Sequence, residues 1–539
     1  MPQTGFRLKA WWIGVTALAV AAPVAMAYEA FQGPTELIQY DPARAYTGYT
    51  LFSPFRGQNT YLIDMHGNVV HYWPYPKGWG TPGAEAIEKH ARILEDGTLL
   101  RGVIDRVNAG GTSGAIYQIA DWDDEVIWQH DEERPGYTPH HDFRMIWNPK
   151  LEARTLMYVA SKEMTHEEVI ALGADPSKRE NYASRPDGIV EVDMDGNVIW
   201  EWNISDHLVQ DYSSDYPNYG VVSEHPGKMD PNFGGGVGGD WIHINGFDYN
   251  EVLDQVVINN STFSEFYIVD HSATFIPGDP ERSVELAASD EGDFIFRWGN
   301  PCVYDSGECP RSINEGQASV DGHQQVFRTH DIQWIRNKEI TPFGSDLPGA
   351  GNFLIFDNGN RHLGDRRSKL VEINPYDGPM GQGVYIPEME AGHLQPPAGM
   401  GGAAPNISRQ IVWTYASELE NSFYSNYISG AQRLPNGNTL SCSGAHGHFF
   451  EVTPEGDVVW EYINPVGDRT GDEFGIYTVM TDAAGSRFNA TFRCTRYRPE
   501  YSGLEGRDLT PRGKITEIFT EEPSAPLPAP AGMGIAGSN

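Results

Sequence analysis

Four histidines stand at the head of four matched phrases. His90 opens "HARILEDGTLL", His141 opens "HDFRMIWNPKLEARTLMYV", His243 opens "HINGFDYNEVLDQVVI", and His330 opens "HDIQWIRN", which resumes at "GNFLIFD". A neutral imidazole is a nucleophile, a general base and a metal ligand near neutral pH. One such histidine alone reads as a buried ring satisfied by hydrogen bonds. Four at equivalent places read as one shared site.

Nearby loops supply further groups. If each phrase is the first strand pair of a repeating unit, the loop entering strand one and the loop joining strands two and three lie on one face. The second loop is polar in the fourth unit, "FDNGNRHLGDRRSK", with Asn358, Arg361, His362, Arg366 and Arg367. In the fifth unit it is "SGAHGHFF", with His446 and His448. The planar fork of Arg361 suits a tetrahedral oxyanion. Its ordinary alternative is a surface ion pair with Asp357 or Asp365. For His446 and His448 the alternative is a pair of solvated loop histidines. Asp142 and Asp331 directly follow His141 and His330. Alternation along a strand turns each away from its own histidine, so both are expected to hold backbone groups or neighbouring units.

These residues need a scaffold, and the repeats describe it. An apolar strand, a turn and a β-rich run ending in Trp recur six times, at Trp73, Trp128, Trp200, Trp298, Trp413 and Trp460. The histidine phrase precedes five of these runs, its fifth copy being "SGAQRLPNGNTLSC" from Ser429. A sixth, weaker copy starts at Tyr477, after the last Trp run. The N-terminal "YLIDMHGNVVHYW" has no front half. Two orphan halves complete one unit, so the expectation is an all-β, six-bladed β-propeller whose last blade is closed by N- and C-terminal strands. The tryptophans are expected to pack blade against blade. The histidines then start the innermost strands and meet at one mouth of the central channel.

Residues 28–522 form this propeller, with long loops at 203–240 and 376–406. Residues 523–539 form a low-complexity tail expected to be disordered. Residues 1–27 read as a signal peptide: Arg7 and Lys9, an apolar run from Trp11, then Ala25-Met26-Ala27. An uncleaved anchor is the alternative. The expected location is periplasmic or secreted, with no membrane association after cleavage. A net charge of −36 argues against nucleic acid as a partner. Of four cysteines, Cys302 and Cys309 are expected to form a small-loop disulfide, and Cys442 and Cys494 are left open as paired or buried thiols. No GxxxxGK[ST] loop occurs, so a soluble nucleotide sulfate donor has no support.

The phrases "DWIHIN", "THDIQW", "FDNGNR", "ISGAQRLPNGNTL", "FEVTPEGDVVWEY" and "FRCTRYRPEY" resemble the bacterial arylsulfotransferase family, over nearly all of the chain after the leader. The resemblance implies a periplasmic propeller that moves a sulfuryl group between phenols through a sulfated histidine, with a small-molecule aryl sulfate and phenol as partners and no cofactor. By motif, His243 and His330 match two channel histidines and Arg361 the arginine of the site. The family nucleophile is expected in the fifth unit, where Ser429 stands; His446, or less readily His448, reaches the same space from the loop. The expected catalytic residues are therefore His243, His330, Arg361 and His446. His90, His141, Asn358 and Tyr477 are expected to line the substrate. Two alternatives remain: a non-catalytic binding propeller, and a His-ligated metalloprotein.

Overall fold

The structure, a computed structural model, describes residues 33–55, 57–75, 86–105, 115–178, 184–235, 241–310, 322–337, 345–359, 367–375, 410–418, 422–469, 473–476, 479–480 and 487–519. Residues 1–32, 376–409 and 520–539, and with them Arg361, His362, Arg366 and Tyr477, lie outside them.

Six antiparallel sheets form the blades, numbered here by the phrase that opens each. Blade 1 runs Ala86–Ile93, Leu99–Asp105, Ala115–Ala120 and Val126–Asp131. Blade 2 runs Tyr137–Asn148, Ala153–Lys162, Asp187–Val192 and Val198–Asn203. Blade 3 runs Ile244–Asn250, Gln255–Asn260, Glu265–Asp270 and Phe296–Trp298. Blade 4 runs Thr329–Trp334, Phe353–Asp357, Lys369–Ile373 and Ile411–Tyr415. Blade 5 runs Gly430–Arg433, Thr439–Ser443, His448–Val452 and Val458–Ile463, and Glu36–Tyr40 adds a fifth strand outside it.

In blade 6 the innermost strand is Thr491–Tyr497, followed outward by Tyr49–Pro54, Asn59–Ile63 and Val69–Pro74. Phe52 pairs with Cys494 and Tyr49 with Tyr497. The sequence phrases imply two strands from each end; the pairing is one C-terminal strand with three N-terminal ones. Tyr49–Pro54 has no counterpart among the repeated phrases, and its residues from Thr50 to Pro54 are all buried.

The turn between third and fourth strands has a recurring chemistry. Asp64 accepts from the backbone N–H groups of His66 and Asn68, both at 2.8 Å. Asp121 and Asp193 repeat this with Asp123 and Glu125, and with Asp195 and Asn197. A side-chain acceptor that closes its own turn fixes the hairpin register.

The repeat tryptophans close the ring. Trp128 donates its indole N–H to Met194 O at 2.7 Å, Trp200 to Thr274 Oγ1 at 3.0 Å, and Trp298 to Gln410 Oε1 at 3.1 Å. Trp413 donates to Pro454 O at 2.9 Å, Trp460 to Met65 O at 3.0 Å, and Trp73 to Asp121 O at 3.1 Å. Each bond runs from an outer strand to the following blade, and the last returns to blade 1. The apolar ring fills the blade interface while its polar edge is satisfied, the usual condition for burying an indole.

Residues 203–235 carry three short 3-10 turns and bury Leu208, Val209, Val222 and Met229 in the same core cluster as blades 2 and 3. A helix at Pro280–Ala287 interrupts blade 3 between its third and fourth strands, with Asp279 accepting from Arg282 N at its start. Cys302 and Cys309 are disulfide-bonded with their Cα atoms 4.9 Å apart; Cys442 and Cys494 are buried free thiols.

Candidate functional site

The inner strands of blades 2, 3 and 4 are each broken by a bulge where they reach the channel mouth. Register shifts lie between Pro139 and Phe143, between Ile244 and Gly246, and between His330 and Gln333. His141 has φ +61° and Asp331 φ +55°. A bulge with a left-handed residue cancels the strict alternation of a strand. Its effect in blade 2 is that two successive rings, His140 and His141, share one space.

A chain of four groups results. Asp187 Oδ1 lies 3.0 Å from His140 Nε2, and its Oδ2 accepts from Ile244 N at 2.6 Å. His140 Nδ1 lies 2.8 Å from His141 Nδ1. His141 Nε2 lies 3.1 Å from His243 Nε2. A carboxylate only accepts, so His140 donates from Nε2 and keeps its Nδ1 lone pair. His141 must then donate from Nδ1 and accept at Nε2, and His243 donates to it. One carboxylate thus fixes three tautomers in neutral rings, and one extra proton on the chain would face a buried countercharge.

His330 is oriented separately. Its Nδ1 lies 2.6 Å from Asn358 Oδ1. Asn358 donates from Nδ2 to Ser425 O at 2.7 Å and Ile428 O at 3.0 Å. Two carbonyl acceptors settle which end of the amide is which, so His330 carries its proton on Nδ1 and a lone pair on Nε2. Nε2 has no hydrogen bond among the described residues. Burial, then the Arg493 guanidinium, holds the His330 pKa well below the usual histidine range. The ring is therefore neutral and nucleophilic at physiological pH. The His330 and His141 ring centres are 6.4 Å apart, and those of His141 and His243 are 4.4 Å apart.

Arg493, on the inner strand of blade 6, braces this layer. Its Nε lies 3.0 Å from Asp331 Oδ1, and it donates to Ser429 O and, at 3.4 Å, to Asn245 O. Asp331 Oδ2 also accepts from Ala431 N in blade 5. Asp142 accepts from its neighbour Phe143 N and from Phe247 N of blade 3. Both carboxylates tie blade to blade.

The remaining sequence-expected residues fall as follows. His90 is buried, with its ring centre 3.9 Å from Phe143 and 5.3 Å from Phe492, and Asp142 3.5 Å from its Nε2. It packs behind the layer. His446 lies in the loop of blade 5, where burial and His448 lower its pKa to about 4. No hydrogen bond or ring contact joins His446 to His141, His243 or His330 among the described residues. His448 is 2.8 Å from Glu461 on the outer strand of its own blade. His140, Asp187 and Arg493 were missed by sequence reading. The "HHDF" doublet was the available signal for His140. Among the described residues no group of three or more His, Cys, Asp or Glu side chains is arranged to hold a metal ion.

Fold and site together define a six-bladed β-propeller with a tautomer-fixed histidine layer at one channel mouth. The family model for arylsulfotransferase (ASST) matches residues 55–370, and the chain belongs to that family. A comparison with curated proteins finds no match. Among solved structures, a protein of unknown function from Bacteroides caccae is 12% identical, with 81% of this chain and 97% of that chain covered and a TM-score of 0.34. A periplasmic gluconolactonase of Pseudomonas aeruginosa is 10% identical, with 83% and 99% covered and a TM-score of 0.32. At those scores neither bears on function.

Proposed function

We propose that this protein transfers a sulfuryl group from an aryl sulfate to a phenol through a sulfohistidine on His330 Nε2. The observation that carries the reading is the Asn358 clamp, which leaves that nitrogen as an oriented, neutral lone pair. Family membership supports the reaction class.

In the first half-reaction the Nε2 lone pair forms the N–S bond as the S–O bond to the aryl group breaks. For this step the His243–His141–His140 chain enters with one proton beyond its neutral set, balanced by Asp187, and gives that proton to the departing phenolate. In the second half-reaction the acceptor phenol returns a proton to the chain, its oxygen attacks sulfur, and the electron pair of the N–S bond returns to Nε2. Such transfers need in-line positioning and charge stabilisation more than covalent activation. Phenol, with a pKa near ~10, is a poor leaving group without that proton.

Mixing enzyme with an aryl sulfate in the absence of acceptor should release one equivalent of phenol in a burst. Unchanged aryl-sulfate turnover in His243→Ala, His330→Ala and Arg361→Ala alike would refute the mechanism. We also propose export of the chain, which the Cys302–Cys309 disulfide favours. A mature protein that begins at Met1 rather than Tyr28 would count against it.

A further inference from the structure

The channel has a second layer beyond the histidines. There a cavity of about 340 Å³ is lined by inner-strand residues of every blade, among them Arg92, Arg144, Asp248, Gln333, Gln432 and Thr495. The Asp331–Arg493 brace lies on the strands between this cavity and the histidine mouth.

Charge in the two inner layers does not balance. Arg144 lies 3.1 Å from Asp248 and 3.7 Å from Asp142. Arg336 pairs with Asp248, and Arg493 with Asp331. Three carboxylates therefore serve Arg144, Arg336 and Arg493. Arg433, which also lines the cavity, pairs with Glu372. Arg92 is the remaining guanidinium and has no ion pair or hydrogen bond among the described residues. Glu95 and Glu251 also line the cavity, but Glu95 is exposed and Glu251 only half-buried, so water screens them.

Three residues that line the cavity carry unused donors. Arg92 Nε, Arg144 Nη2 and Trp334 Nε1 are all buried without a hydrogen-bond partner. Three such donors on one cavity suit an acceptor. The walls are aromatic. The Tyr497 hydroxyl accepts from Ile93 N and the Tyr501 hydroxyl donates to Ile93 O, both at 2.9 Å, so their polar ends are occupied and their rings remain for contact. A volume of this size exceeds that of a bare inorganic anion and suits a small organic ligand.

We infer that the lower channel is a binding site for a small organic oxyanion, with its charged head on Arg92 and Arg144 and a ring-sized body against Trp334 and Tyr497. The planar fork of arginine matches a carboxylate or sulfo group. The site is independent of the histidine chemistry.

Calorimetric titration of the folded chain with sodium benzoate, in a constant sodium chloride background, tests this. The expected result is saturable one-to-one binding, weakened at least ~10-fold in Arg92→Met, partly kept in Arg92→Lys, and unchanged in His330→Ala. Benzyl alcohol, which keeps the ring and lacks the charge, should bind far more weakly. If Arg92→Met does not fold, Thr495→Glu puts a competing carboxylate into the layer and should abolish binding. Absence of saturable benzoate binding, full binding in Arg92→Met or in Thr495→Glu, or loss in His330→Ala would each overturn the assignment.

Discussion

Asn358 Oδ1 sits 2.6 Å from His330 Nδ1, while the same amide's Nδ2 donates to two backbone carbonyls. The amide cannot turn without losing both donations, so the imidazole is held in one tautomer. Asn358→Leu should lower kcat for aryl-sulfate turnover by about 10²-fold with little change in KM. It should also cost about 1–3 kcal/mol, because two buried carbonyls lose their donor. Steady-state kinetics beside a denaturant melt separates the two effects. A stability loss with unchanged kcat would show that the clamp is only structural.

Asp187 anchors the proton chain, and its removal should be felt according to the leaving group. Asp187→Asn withdraws the countercharge, so the chain holds its extra proton less tightly. Turnover of phenyl sulfate should fall much more than that of 4-nitrophenyl sulfate, whose more acidic phenol leaves with less help. Equal losses with both donors would show that the chain moves no proton.

His271 predicts a pH dependence of stability away from the site. Burial alone would lower its pKa, but Glu191 at 2.9 Å and Asp254 at 2.5 Å outweigh that and hold it at about 9. The folded value lies above the unfolded value of about 6.5. Its stabilising contribution, on the order of 3 kcal/mol, is therefore complete below about pH 6.5 and is lost as pH rises through about 9. Thermal melts should show a falling Tm over that interval. In His271→Gln the starting stability should be lower and the fall between about pH 6.5 and 9 should disappear.

The tryptophan ring makes a purely structural prediction. Trp460→Phe keeps most of the apolar ring but removes the bond to Met65 O that joins blades 5 and 6. A cost of about 1–2 kcal/mol is expected, with kcat unaltered. Urea titration and a kinetic assay on the same preparation check both parts.

Much of this molecule can be read from its residues. Six Trp runs, two orphan half-units and hairpin turns of Asp and Gly specify a ring of six sheets. The division of blade 6 was harder to see, because Tyr49–Pro54 lacks the repeating phrase. His243, His330, His141 and Asn358 were legible as one layer since they begin equivalent strands or follow them. His140 was hidden by an assumption. A regular strand sends neighbours to opposite faces, whereas the bulge at His141, with φ +61°, turns both rings into one space. Asp187 and Arg493 were hidden for another reason: Asp187 starts a third strand and Arg493 sits in the weak sixth copy, which carries no histidine, and only the closed ring brings both to the centre.

The most direct measurement is peptide mapping by mass spectrometry after the chain is mixed with an aryl sulfate and quenched under alkaline conditions before acceptor is added. The account predicts one sulfuryl group, carried on the peptide that contains His330 and absent from His330→Ala. A sulfuryl group on His446 or any other residue, or wild-type turnover in His330→Ala, would contradict it.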